Sequence, residues 1–255
     1  MLTVGVDFAA QAKKTAACVI RWTVASARVE QLEIGLDDAA FCAFDDPRFD
    51  RVGVDCPFGW PTPFVEAITA HHLFEPWPGR NLPPDPFRRT LRLRRTDEYV
   101  KKTTGLNPLS VSASLLGVTA MRLATLLDRL AADGEGVDRA GTGRFVEVYP
   151  AAALKRWELP NTGYKTGTGK LDVLSELMDT LHSRAPWLEL PGNVDHMCRS
   201  SDHAFDALIS ALVARAAALD LTDPPPADAA QAVRTKGWIH LPPAGSSLET
   251  LVSPD

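Results

Sequence analysis

The sequence predicts an α/β domain in which a three-stranded antiparallel meander is followed by a crossover helix and then by further strands and helices. Three β-leaning runs close to the start are separated by short polar stretches, which favours a meander. A helix signal then stands between the third and fourth runs and implies a crossover. The second half of the chain contains one alternating run and several amphipathic stretches with helical spacing.

The elements follow from local patterns in chain order. Short apolar or alternating runs predict five strands: 1–6, 16–24, 28–34, 51–55 and 144–149. Asp37 and Asp38 can cap and charge the start of a short helix over 39–44. Apolar residues at helical spacing predict three longer helices, over about 116–130, 171–181 and 201–219.

Proline dominates the segment that follows the fourth strand. Eight prolines lie between Pro57 and Pro86, a density that excludes a central strand and disfavours helices. We therefore expect a single domain over residues 1–255 with an irregular insertion at about 57–110.

The composition is that of an ordinary water-soluble globular protein, with 45% hydrophobic and 23% charged residues. A net charge of −5 argues against tight nonspecific binding to duplex nucleic acid, so any such contact must be local. The four cysteines never form a C-x-x-C pair, which argues against a zinc ribbon. Neither a signal peptide nor a membrane span is predicted, and we expect a cytoplasmic location without membrane contact.

Four acidic residues lie on predicted core elements, where charged side chains are disfavoured. Asp7 and Asp55 close strands, Glu147 lies within one, and Asp206 lies early in the last helix. Their convergence would be tolerable around a divalent cation, and oxygen ligands favour Mg²⁺ or Mn²⁺ over zinc. Alternatives remain: the two strand-end aspartates could form turns, and Glu147 could face outward on an edge strand.

Six arginines gather within sixteen residues of the insertion and oppose the overall charge: Arg80, Arg88, Arg89, Arg92, Arg94 and Arg95. They could hold a nucleic-acid strand or a nucleotide over the acidic site. They could equally form a solvated face paired with Asp85, Asp97 and Glu98. His203, one turn before Asp206, is either a packing residue or a proton shuttle.

Seven short motifs together resemble the DUF429 family, whose members are predicted RNase H-like nucleases. They are Val4-Gly-Val-Asp7, Val54-Asp55-Cys-Pro57-Phe-Gly59, Arg95-Thr-Asp97, Glu147-Val-Tyr-Pro150, Tyr164-Lys165, His203-Ala-Phe-Asp206 and Gly237-Trp-Ile-His-Leu-Pro242. The resemblance implies an RNase H-like fold with a five-stranded mixed sheet whose first three strands are antiparallel. It also implies that Asp7, Asp55, Glu147 and Asp206 are the acidic metal ligands and catalytic residues, and that Arg95 and Asp97 are the pair that points inward.

The leading hypothesis is a nuclease or other phosphodiesterase that uses two Mg²⁺ or Mn²⁺ ions held by those four acids. Its substrate would be a nucleic acid or nucleotide phosphodiester, contacted locally by Arg92, Arg95, Asp97, Lys165 and His203. Two other functions stay open: an ATP-dependent phosphotransferase of the actin-like or sugar-kinase type, and a binding protein that has the fold without the chemistry. The sequence indicates neither the oligomeric state nor the substrate.

Overall fold

A computed structural model describes residues 1–112, 114, 116–131 and 136–252 of the chain. Its centre is one mixed sheet with the strand order β6-β3-β2-β1-β4-β5-β7. The strands are β1 (Leu2–Asp7), β2 (Ala16–Trp22), β3 (Ala27–Ile34), β4 (Arg51–Asp55), β5 (Phe145–Val148), β6 (Leu188–Glu189) and β7 (Ile239–His240). The first three strands run antiparallel, whereas β4 and β5 continue the sheet parallel to β1.

The described residues give the sheet seven strands, so the expectation of five is wrong in number. All five predicted strands are present within two residues of their expected ends. The two additional strands, β6 and β7, contain two residues each and pair with β3 and β5 at the sheet edges. Two residues cannot show an alternating pattern, and these strands form because tertiary packing brings their backbone beside an open edge.

Helices cover both faces of the sheet. They are α1 (Asp38–Cys42), α2 (Thr62–His72), α3 (Pro84–Thr90), α4 (Arg95–Thr104), α5 (Leu116–Arg129), α6 (Pro150–Arg156), α7 (Lys170–Arg184), α8 (Val194–Ser200), α9 (Asp202–Ala218) and α10 (Ala230–Lys236). In one layer, Phe41 of α1 and Leu123 of α5 pack on β1 and β4. In the other layer, α7, α8 and α9 pack on β2, β3 and β5. None of the helices in these described ranges is long and apolar enough to cross a membrane.

The insertion is more regular than its proline content predicts, because α2, α3 and α4 lie within it. The expectation of an irregular segment is therefore wrong for these stretches. Pro63 and Pro84 occupy the first turns of α2 and α3. A residue in the first turn of a helix needs no hydrogen-bonded N–H group, so proline there begins a helix instead of breaking it.

The last long helix, α9, lies directly on the two central strands. Nearly all of its residues are buried, as expected for a helix that is apolar on every side. Gly5 of β1 and Gly53 of β4 are paired in register beneath it. A Cβ atom at Gly5 would lie 2.1 Å from the carbonyl oxygen of Ala207, and one at Gly53 would lie 2.6 Å from that of Ser210. The absence of side chains at these two positions therefore lets α9 contact the sheet backbone.

Candidate functional site

Three of the four predicted acids meet where β1, β4 and α9 come together. Asp7 and Asp55 end their strands side by side in the parallel register. Each follows its strand's glycine by two residues, so both side chains lie on the face that α9 covers. Asp206, in the second turn of α9, completes the cluster. Carboxylate oxygens of Asp7, Asp55 and Asp206 lie within 4.8 Å of one another.

Each of these carboxylates has a distinct environment. Nδ1 of His203 lies 2.6 Å from Oδ2 of Asp7. The Tyr164 hydroxyl donates to Oδ1 of Asp206 at 2.9 Å, and the Lys165 ammonium contacts Oδ2 of the same residue. Asp55 is half-buried beside the other two acids. Two of the three carboxylates are therefore held by neighbouring side chains. The residues that hold Asp206 come from the loop before α7, and the residue that holds Asp7 comes from the first turn of α9.

The pKa values of Asp55 and Asp206 are raised by their burial and by the crowding of the acids. Burial raises the pKa of Asp55 well above its usual range, and Asp7 and Asp206 raise it further against the opposing effect of Lys165. Burial likewise raises the pKa of Asp206 to about 6, although Lys165 opposes the shift. The hydrogen bond to Asp7 raises the pKa of His203 above its ordinary value. Such perturbed, mutually repelling carboxylates are typical of a site that takes a cation.

Glu147 is not part of this cluster, contrary to its predicted role as a ligand. Its carboxylate accepts two hydrogen bonds from the Arg94 guanidinium, at 2.7 and 2.8 Å, and a third from the Phe58 backbone N–H at 3.0 Å. Arg94 also pairs with Asp97 at 2.8 Å, and all three side chains are about 2% exposed. Arg94 thus bridges two buried carboxylates, and its pairing with Glu147 secures the insertion against β5.

The residues predicted to contact the substrate also fall into two groups, those that lie near the acidic cluster and those that do not. Lys165 and Asp97 line the cavity described below, although Asp97 is bound to Arg94. Arg92 is exposed, and Arg95 pairs with Asp228 at 2.8 Å on the surface, so neither is found at the cluster. Because α4 begins at Arg95, positions 94 and 97 share its inner face while Arg95 projects outward. The expectation that Arg95 points inward is therefore wrong, whereas Asp97 is buried against Arg94.

Other arginines of the insertion lie on its exposed face and pair with neighbouring acids, which was the second interpretation of the arginine cluster. Arg88 pairs with Asp85 at 2.7 Å, and Arg89 pairs with Glu98 at 3.4 Å. All four of these side chains are largely exposed, so the pairs contribute little to stability. The insertion therefore presents much of its arginine charge already matched by its own acids.

A cavity of about 510 Å³ opens beside the acidic cluster. Asp7 and Asp55 form part of its wall, together with Lys165. Much of the remaining wall is apolar or aromatic: Phe8, Pro108, Leu109, Leu116, Tyr149 and Tyr164. A concave, mostly apolar site with a few convergent polar groups is the usual form of a small-ligand pocket.

Two residues of the site were not singled out by sequence reasoning. Tyr164 binds Asp206, and its only signal was its place in the motif with Lys165. Arg94 was one of six clustered arginines, and nothing in the pattern distinguished it from Arg95. Its partner Glu147 lies 53 positions away, a separation across which local patterns carry no information.

Comparison with protein-family models gives one match, to a family described as a protein of unknown function, DUF429, over residues 5–231. Comparisons with curated proteins and with solved structures returned no match. The matched range includes Asp7, Asp55 and Asp206 and most of the chain. The chain belongs to the DUF429 family.

Proposed function

We propose that this protein is a divalent-metal-dependent phosphodiesterase of RNase H-like fold, acting on a nucleic acid or a nucleotide phosphodiester. One observation carries the proposal: the carboxylates of Asp7, Asp55 and Asp206, brought from distant parts of the chain, lie within 4.8 Å of one another beside a cavity. Three acids so close repel one another unless a cation is shared between them.

The donor set fits a hard divalent ion. All three candidate ligands offer carboxylate oxygens, which suit Mg²⁺ and Mn²⁺ and contrast with the cysteine and histidine ligands typical of zinc. When bound, such an ion polarises a phosphoryl oxygen and lowers the pKa of a coordinated water.

The chain's own residues orient these ligands and shape the substrate site. His203 fixes one oxygen of Asp7, and Tyr164 fixes one oxygen of Asp206, which limits rotation of both carboxylates. Phe8, Leu109 and Leu116 give the cavity an apolar wall against which a nucleobase could lie. These features support a substrate that places one nucleotide in the cavity with its phosphodiester towards the acids.

The proposal is tested with DNA, RNA, hybrid and branched substrates, together with a small phosphodiester, in the presence of Mn²⁺. We expect metal-dependent cleavage that falls by at least about 100-fold in Asp55→Asn, because even groups that only orient metal ligands cost 10–100-fold when removed. Asp202→Asn is the matched control, since Asp202 begins α9 and pairs with Lys170 outside the triad. Activity that survives in Asp55→Asn, or that falls equally in Asp202→Asn, would contradict the proposed site.

A further inference from the structure

The Lys165 ammonium already contacts the acidic cluster. It binds the Oδ2 side of Asp206 and lies over the Tyr164 ring, 5.6 Å from its centroid. The side chain is 41% exposed and lines the cavity, so it faces both the carboxylates and the space for a substrate. A positive group therefore stands where the incoming phosphodiester would approach the acids.

A count of charges limits how many metal ions the cluster needs. Asp7, Asp55 and Asp206 contribute three negative charges, and Lys165 offsets one of them. Glu147 lies outside the triad and shares the buried Arg94 with Asp97, so that trio keeps one negative charge of its own. One divalent ion balances the two charges that remain on the triad.

The hydrogen bonds of the three carboxylates also favour a single metal ion. Both oxygens of Asp206 are engaged, one by Tyr164 and one by Lys165. One oxygen of Asp7 is engaged by His203. Among the described residues, one oxygen of Asp7 and those of Asp55 remain, and with the second lone pairs of the Asp206 oxygens they suit the partial coordination of one ion completed by water and substrate.

We propose that the cluster holds a single divalent ion and that Lys165 acts as a catalytic residue, supplying the second positive charge that a second ion would otherwise provide. This inference rests on the proposed function. In the hydrolysis, the bond from the water oxygen to phosphorus forms as the bond to the leaving oxygen breaks. The water releases one proton to solvent, and the leaving oxygen takes one from solvent. Lys165 keeps its protons and stabilises the developing negative charge by a charged hydrogen bond.

The test replaces the ammonium by an uncharged group of similar shape, Lys165→Met, and measures both Mn²⁺ binding and hydrolysis. Lys170→Met is the matched control, because Lys170 has the same 41% exposure and pairs with Asp202 at 3.6 Å. Mn²⁺ binding is followed by the electron paramagnetic resonance of the free ion, and hydrolysis is measured at saturating Mn²⁺.

We expect the wild-type protein to bind one Mn²⁺ per chain. In Lys165→Met, Mn²⁺ should bind about tenfold more tightly, because a competing positive charge is gone. The rate should nevertheless fall by about 100-fold, as when one donor to a developing oxyanion is removed. Lys170→Met should change neither quantity. A residue that only supports the fold would not raise affinity while lowering the rate.

The outcomes separate the two proposals. Two Mn²⁺ ions per wild-type chain, an unchanged rate in Lys165→Met, or a parallel loss of affinity and rate would overturn the role of Lys165 and leave the phosphodiesterase proposal standing. Absence of Mn²⁺ binding in the wild-type protein would overturn the phosphodiesterase proposal itself.

Discussion

Glu147 and Arg94 illustrate at the residue scale how burial decides the role of a charge. Both side chains are about 2% exposed and are joined by two hydrogen bonds, with Asp97 as the second partner of the guanidinium. Neutralising Glu147 leaves the guanidinium paired with Asp97 but removes a charge-assisted hydrogen bond, which costs about 1.5–3 kcal/mol. The pair therefore stabilises the attachment of the insertion to β5.

We expect Glu147→Gln to lower the free energy of unfolding by about 2 kcal/mol and to leave Mn²⁺ affinity nearly unchanged. Urea denaturation and Mn²⁺ titration measure the two quantities. Glu189→Gln serves as the control, since Glu189 forms an exposed pair with Arg28 and should leave the stability almost unaltered. Loss of Mn²⁺ binding without loss of stability would instead make Glu147 a ligand.

Some residues of the site can be predicted from the sequence more readily than others. Asp7 and Asp55 could be predicted because each ends a buried strand, a position with few structural uses for a carboxylate. Asp206 could be predicted because it interrupts an apolar helix. Glu147 met the same criterion but lies outside the cluster, because the pattern indicates a buried charge but not the arginine that pairs with it.

At the scale of elements, the contact of α9 with β1 and β4 sets the position of Asp206. Gly5 and Gly53 lie in one register pair, and the aspartates lie in the next pair along the same face. A methyl group at either glycine would meet helix backbone, which cannot move aside as a side chain can. Overpacking of this kind costs about 1–3 kcal/mol and occasionally more.

We expect Gly5→Ala to lower the free energy of unfolding by about 3 kcal/mol or more and to weaken Mn²⁺ binding, because α9 must move away from the sheet. Thermal denaturation and Mn²⁺ titration measure these effects. Gly143→Ala is the control, since its nearest neighbour would be Cβ of Asp138 at 4.0 Å. A Gly5→Ala protein as stable as the wild type would show that the helix does not rest on this strand.

Prediction of elements succeeded where a pattern extended over several residues. α5 and α9 repeat apolar residues over many turns, and their observed bounds agree with the expected ones within a few residues. The helices of the insertion were missed because proline was counted without regard to its position in the turn. β7 depends on pairing with β5, a contact that only the folded chain provides.

At the scale of the whole molecule, a net charge of −5 coexists with an acidic triad beside a cavity whose wall includes Lys165, Asp7 and Asp55. The acids belong to the start, the first quarter and the last third of the chain, and only the complete sheet with α9 brings them together. The unfolded chain has no comparable cluster. A cation that binds this cluster must therefore stabilise the folded state relative to the unfolded one.

This linkage predicts a metal-dependent melting temperature. At free Mn²⁺ one hundred times the dissociation constant, the stabilisation is about 2.7 kcal/mol. For a domain of this size, that corresponds to an upward shift of about 5–10 °C. Calorimetry in a Mn²⁺ series, with EDTA as the reference, measures the shift. Asp55→Asn should abolish most of it, whereas Asp202→Asn should retain it, because Asp202 lies outside the triad. An equal shift in wild type and Asp55→Asn would mean that Mn²⁺ binds the folded chain elsewhere, because a cation held by the triad would lose one of its ligands in this variant.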